Sequence, residues 1–205
     1  ILVKGLGVAV FIIGNDFRFG FRRQGDFALL QQRGLELGFE VEETASYEYN
    51  GVRISSSYIR QELAISNFAL VEQLLGRPYS IRGEVQQGRK LARNLGYPTC
   101  NVGLHRRTLP LHGVFACEVR LADRFFTAAV NVGYKPTVTD ERAALLEAHL
   151  LDFDEDLYGK TIEVIFRKKI REEMKFDGLD ALKAQMSRDI DKVREMMEVP
   201  AAQRG

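Results

Sequence analysis

From Gly113 to Leu121, the residues Phe115, Cys117, Val119 and Leu121 alternate with Ala116, Glu118 and Arg120. Period two is the signature of a strand with one buried face. Further short strand-like runs lie at 79–86, 125–132, 146–152 and 161–168, separated by glycine and proline turns with no helical pattern between them. Five or so strands joined in this way predict an antiparallel barrel or sandwich, not a doubly wound sheet. The last run has another period: Leu179, Leu182, Met186, Ile190, Val193 and Met197 recur at three- and four-residue steps. That spacing predicts one amphipathic helix closing over a face of the barrel.

The chain before Pro78 has a different texture. Residues 7 to 13 form a continuous apolar run that reads as a buried strand, Asp26 to Leu37 as a helix capped by Asp26, and Gly38 as a stop before a second strand at Phe39 to Glu42. Strand, helix, strand is the alternation of a parallel sheet with a crossover helix, here about half of one. Ser55-Ser56-Ser57 opens a helix through Ile59 and Leu63, and Phe68 to Leu75 makes another before Gly76-Arg77-Pro78 breaks it. The expected class is therefore α+β: a partial α/β segment at 1–75, an antiparallel barrel with its closing helix at 76–197, and a frayed tail at 198–205.

Charge and cysteines narrow the partners. Lys plus Arg number 29 against 28 Asp plus Glu, so there is no cationic excess for a nucleic-acid backbone or an anionic membrane. The apolar N-terminus, Ile1 to Ile13, contains Lys4 and falls well short of the ~20 residues a spanning helix needs. Cys100 and Cys117 form no C-x-x-C pair and have no zinc-ligand cluster beside them, which suits a reducing cytoplasm.

Two generic nucleotide motifs nearly match and then fail. In Gly83-Glu84-Val85-Gln86-Gln87-Gly88-Arg89-Lys90, Arg89 stands where a P-loop needs its lysine, and no Ser or Thr follows. Gly5-Leu6-Gly7 precedes a strand where a dinucleotide fingerprint must follow one. The informative stretch runs from Gly83 to Asn101. Gly83, Gly88 and Gly96 let a backbone approach phosphates, Arg89, Lys90 and Arg93 favour the anion, and the stretch ends in Pro98-Thr99-Cys100-Asn101. Taken alone it is equally a glycine-rich β-turn on a basic face.

The same stretch resembles the kinase domain of the bacterial bifunctional riboflavin kinase/FMN adenylyltransferase family, with its glycine-rich loop and its Pro-Thr-Ala-Asn motif. The resemblance implies transfer of the γ-phosphoryl group of ATP to the ribityl hydroxyl of riboflavin, giving FMN, with Pro98 and the loop residues holding ATP and with Thr99 and Asn101 as Mg²⁺ ligands. A hydroxyl and an amide oxygen are hard donors of the kind Mg²⁺ takes. Leu146-Glu147-Ala148-His149-Leu150 and Leu157-Tyr158-Gly159 resemble the family's Leu-Glu-Val-His-Leu strand and Leu-Tyr-Gly turn. The implied role of Glu147 is catalytic base; His149, on the same strand face, reads as structural. Asn131-Val132-Gly133 with Pro136-Thr137 resembles Asn-Ile-Gly-x-x-Pro-Thr near the substrates, and Arg171, Glu173 and Phe176 resemble Arg-x-Glu-x-x-Phe. Tyr158, Arg171 and Phe176 are thereby expected at the flavin.

The front of the chain resembles parts of the family's Rossmann-like nucleotidyltransferase domain: Asp16, Phe17 and Arg18 in its flavin-side loop, and Ser55, Ser56 and Arg60 in an Ile-Ser-Ser-Thr-x-Ile-Arg nucleotide motif, with Ser57 replacing Thr. The family's early strand, glycine turn and histidine motif have no counterpart here, so adenylyl transfer to FAD is expected to be lost. Ala92 stands at a loop position that is usually glycine. Two other functions remain open at this point: a non-catalytic flavin- or nucleotide-binding barrel, and an oligonucleotide-binding barrel, which the near-neutral charge disfavours.

Overall fold

The computed structural model describes residues 2–14, 16–86, 96–104, 108–136 and 142–197. Gly88, Arg89, Lys90, Ala92, Arg93 and the tail from 198 lie outside the described residues. The chain divides into two compact units, Ile1–Ser55 and Ser56–Gly205.

In the first unit, β1 (Val10–Gly14) and β2 (Glu40–Thr44) pair in parallel, Val10 opposite Glu40, and are joined through helix α2 (Phe27–Leu37). The sequence signals at both ends of α2 act as expected. Asp26 accepts a hydrogen bond from the Leu29 amide, and Gly38, at φ 76°, returns its N–H to the Gly34 carbonyl. The expected strand at 7–13 is corrected. Leu2–Leu6 is a short helix, α1, and Gly7, at φ +61°, donates to the Val3 carbonyl and ends it, so the strand starts only at Val10. That strand is not buried on both faces either: Val10 and Ile12 are exposed. A two-stranded antiparallel ribbon, β3 (Glu48–Tyr49) and β4 (Val52–Arg53), follows.

The second unit is a closed antiparallel barrel. Its strands are β5 (Ser80–Gln86), β6 (Cys100–Val102), β7 (Gly113–Leu121), β8 (Arg124–Pro136), β9 (Arg142–Leu150) and β10 (Thr161–Arg171), in the circular order β10-β5-β6-β9-β8-β7. The alternation read along β7 is the alternation of the barrel wall. Phe115, Cys117 and Val119 are buried in the same core as Ala128, Val130, Leu146, Ala148, Val164 and Phe166, whereas Ala116 faces the other way. The strand that was not expected is β6, three residues long. It carries Cys100 and Asn101, with Thr99 just before it, and is held on both sides, by β5 and β9.

Helix α3 (Ser56–Ala64) and helix α4 (Phe68–Leu75), capped by the Asn67 side chain and stopped by Gly76 at φ 68°, belong to this unit. Leu63, Phe68 and Val71 join the barrel core, with the Phe68 ring 5.9 Å from Phe115 and 6.0 Å from Phe166. Helix α5 (Leu179–Met197) lies across β7, β8 and β10. It sits low because the strand residues beneath it are Ala116 and Ala129, which meet Val193, Ile190 and Met197. Leu179, the first residue of the expected stripe, is exposed, and the buried side of α5 also holds Gln185 and Asp189. Among the described residues no helix is long and apolar enough to cross a membrane.

Candidate active site

Strand register builds the site. Asn101 on β6 stands opposite Glu147 on β9, and Glu147 stands opposite Asn131 on β8. Each is flanked by chain neighbours that enter the core: Cys100 and Val102, Leu146 and Ala148, Val130 and Val132. Alternation therefore turns all three polar side chains to the outer face of the barrel. Residues opposite one another on adjacent antiparallel strands have Cβ atoms about 4.5–5.5 Å apart. Asn101, the candidate metal ligand, and Glu147, the candidate base, are thus immediate neighbours although 46 positions separate them (147 minus 101). Asn131 is the addition. Its motif is visible in the sequence, but only the register brings it beside Glu147.

Thr99 opens onto a cavity of about 500 Å³ together with Pro98, Cys100, Leu150, Asp156 and Tyr158. The turn that supplies Tyr158 is well fixed. Asp156 accepts from the Tyr158 amide at 3.0 Å, Leu157 is buried, and Gly159, at φ +73°, donates to the Val85 carbonyl. Burial pushes the Cys100 thiol up to about 11, which keeps it protonated and removes it as a nucleophile at neutral pH. His149, two residues after Glu147, donates from Nδ1 to the Pro98 carbonyl at 2.8 Å, and its ring meets Tyr97 edge-on at 5.7 Å.

The cross-strand row continues beyond Asn131 to Val114 on β7 and then to Arg171 at the end of β10, two strands from Asn131, with Phe176 in the segment that follows β10. The Arg171 guanidinium is engaged by α5: it reaches the Asp189 carboxylate through Nε at 3.0 Å and through its terminal nitrogen at 2.7 Å, and donates to the Glu172 carbonyl. It also lies over the Phe176 ring at 5.8 Å. Glu173 holds His112 at 3.0 Å and packs its carboxylate against Gly133, where a Cβ would collide with it. The Asn-Val-Gly and Arg-x-Glu-x-x-Phe segments thus meet through a missing side chain.

Of the glycines expected at phosphates, Gly83 is buried in β5, where a Cβ would collide with the Gly103 carbonyl, so strand packing accounts for it. Gly96 is exposed with φ +87°, a conformation that requires glycine. In the first unit, Asp16 pairs with Arg53 at 3.1 Å, which holds its carboxyl below the ordinary range; Phe17 stacks on Phe19, and Arg18 donates to the Phe17 carbonyl. Ser55 ends that unit. Ser56 and Arg60 belong to α3 in the second, lining another cavity with Leu63 and Tyr79.

Among the described residues, no group of three or more His, Cys, Asp or Glu could hold a metal ion. The Thr99 hydroxyl and the Asn101 amide oxygen are hard donors of the kind Mg²⁺ takes when substrate oxygens fill out the shell.

Residues 75–197 match the riboflavin kinase family (Flavokinase), and residues 1–58 match the FAD synthetase family. The bifunctional riboflavin kinase/FMN adenylyltransferase of Escherichia coli (strain K12) is 49% identical over 196 residues, covering 95% of this chain and 62% of that protein. The Pseudomonas fluorescens protein of the same description is 46% identical over 204 residues, covering 100% and 65%. The chain thus spans less than two thirds of either relative. A solved structure described as a macrolide-efflux protein from Streptococcus pneumoniae is 33% identical with a TM-score of 0.67, covering 89% of this chain and 60% of that one. A barrel matched over its whole length makes this chain a member of the riboflavin kinase family, with the riboflavin kinase domain at residues 75–197.

Proposed function

We propose that the barrel phosphorylates riboflavin, and the observation that carries this reading is the opposition of Asn101 and Glu147 on adjacent strands. Glu147 accepts the proton of the ribityl hydroxyl as that oxygen attacks the γ-phosphorus; the bond from γ-phosphorus to the bridging oxygen breaks and ADP leaves. A carboxylate contributes only when held within hydrogen-bond reach, so positioning and electrostatic stabilisation supply most of the acceleration. Thr99 and Asn101 would hold Mg²⁺, which when bound neutralises charge on the phosphate oxygens. Gly88, Arg89, Lys90, Arg93 and Gly96 complete the phosphate side. Tyr158, Arg171 and Phe176 frame the flavin, Tyr158 from the cavity it shares with Pro98 and Thr99.

The test is incubation with riboflavin, ATP and Mg²⁺ followed by chromatography of the flavins. FMN should form in proportion to ATP consumed; flavin bound without ATP consumption would leave a binding barrel instead. For the 205-residue polypeptide itself, FMN with ATP should give no FAD above a no-enzyme control, a reading supported by the partial FAD synthetase match, which takes in residues 1–58. We further propose a functional division at 75/76, supported by the start of the kinase match at residue 75, and a cytoplasmic setting, supported by two free cysteines.

A further inference from the structure

The site joins two distant parts of the chain: Thr99 and Asn101, at the entry to β6 and within it, and Glu147 on β9. Only two ladder pairs join β6 to β9, Cys100 with Ala148 and Asn101 with Glu147. Thr99 lies one residue beyond the last of them. What continues the pairing past that point is a side chain, because His149 bonds the Pro98 carbonyl at 2.8 Å and abuts Tyr97 at 5.7 Å. A carbonyl can only accept, so the His149 Nδ1 carries the proton in either charge state of the ring.

We propose that His149 is a positioning residue, which clamps the Tyr97-Pro98 segment to β9 and so holds Thr99 on the line of the β6–β9 ladder, diagonal to Glu147 and next to the Asn101–Glu147 pair. It rests on the kinase reaction proposed above. Because it acts through Thr99, its loss should be felt by the metal–nucleotide complex and not by riboflavin.

The geometry supplies its own controls. The amide nitrogen of Asn occupies nearly the position of Nδ1, while that of Gln corresponds to Nε2, so His149→Asn keeps the donor and His149→Gln misplaces it. Both substitutions are polar and carry no extra bulk, which keeps the pair comparable in folding. Mg²⁺-dependent ADP binding by calorimetry should weaken about tenfold in His149→Gln, the loss of one well-placed hydrogen bond. His149→Asn should stay within about twofold of the parent, and riboflavin KM should be the same in all three proteins. Asn and Gln variants with equal MgADP affinity, or parallel losses for MgADP and riboflavin, would overturn the clamp. Failure of the parent to form FMN from riboflavin and ATP would overturn the kinase reaction itself, and the calorimetric comparison separates that outcome from failure of the clamp alone.

Discussion

At the scale of single residues, the site is a matter of which neighbours the barrel wall puts side by side. Glu147→Gln keeps the shape of the side chain but cannot accept a proton; kcat should fall by about 10²- to 10⁴-fold with riboflavin affinity unchanged, as fluorescence titration of the flavin would report. Thr99→Ala and Asn101→Ala each delete a proposed oxygen ligand, so half-saturation by Mg²⁺ should rise about tenfold in FMN formation, and no protein in the series should bind Mg²⁺ measurably without nucleotide. Wild-type metal titrations in both variants would remove Thr99 and Asn101 from that role. Thr99, Asn101 and Glu147 are legible in the sequence as motifs, yet nothing in a motif says that Asn131 is the next residue along. That fact depends on strand register, which links positions far apart in the chain. Gly83 illustrates the reverse case: as a letter it suggests phosphate approach, but in place it is the gap that admits the Gly103 carbonyl. Gly83→Ala should cost about 1–3 kcal/mol in urea unfolding through overpacking.

At the scale of elements, period and capping residues gave α2, α4, β7 and α5 away, because their signals are local. Three-residue β6 carries too few positions for any period and became a strand only through β5 and β9. The buried side of α5 was half legible. Its apolar stripe is visible in the spacing, but the burial of Asp189 is not, because it depends on a pairing with Arg171 from a distant strand. Asp189→Ala would leave that guanidinium nearly buried and unpaired, at a cost of about 3 kcal/mol, and should raise riboflavin KM by loosening the segment that bears Phe176. The seam of β5, β10 and β7 offers a pH test. The Ser80 hydroxyl, at 2.6 Å, and then Arg120 hold the Glu163 carboxyl below its ordinary 4.5. A carboxylate depressed by folding adds stability above its unfolded pKa and loses it as pH falls through the folded one. Glu163→Gln should thus be about 1 kcal/mol less stable at pH 7, with the difference closing below pH 4.5.

At the scale of the whole molecule, the barrel extends its core beyond its own strands. A fragment from residue 56 keeps Leu63, Phe68 and Val71 on the barrel core and should fold with it intact. One from residue 76 loses them all, at about 1.5–3 kcal/mol for each large side chain uncovered, and should melt far lower in calorimetry. Equal melting of the two fragments would mean that α3 and α4 contribute nothing to that core. The circular strand order has a temporal consequence as well. β10, the last strand made, is the one that pairs with both β5 and β7, so Ser80 waits for Ile165 before the ring can shut. Contacts between such distant positions slow folding. On the ribosome, the emerging chain therefore carries two open strand edges through most of its synthesis, and a product cut short before Thr161 keeps them permanently, which makes it a natural client for chaperones and proteases.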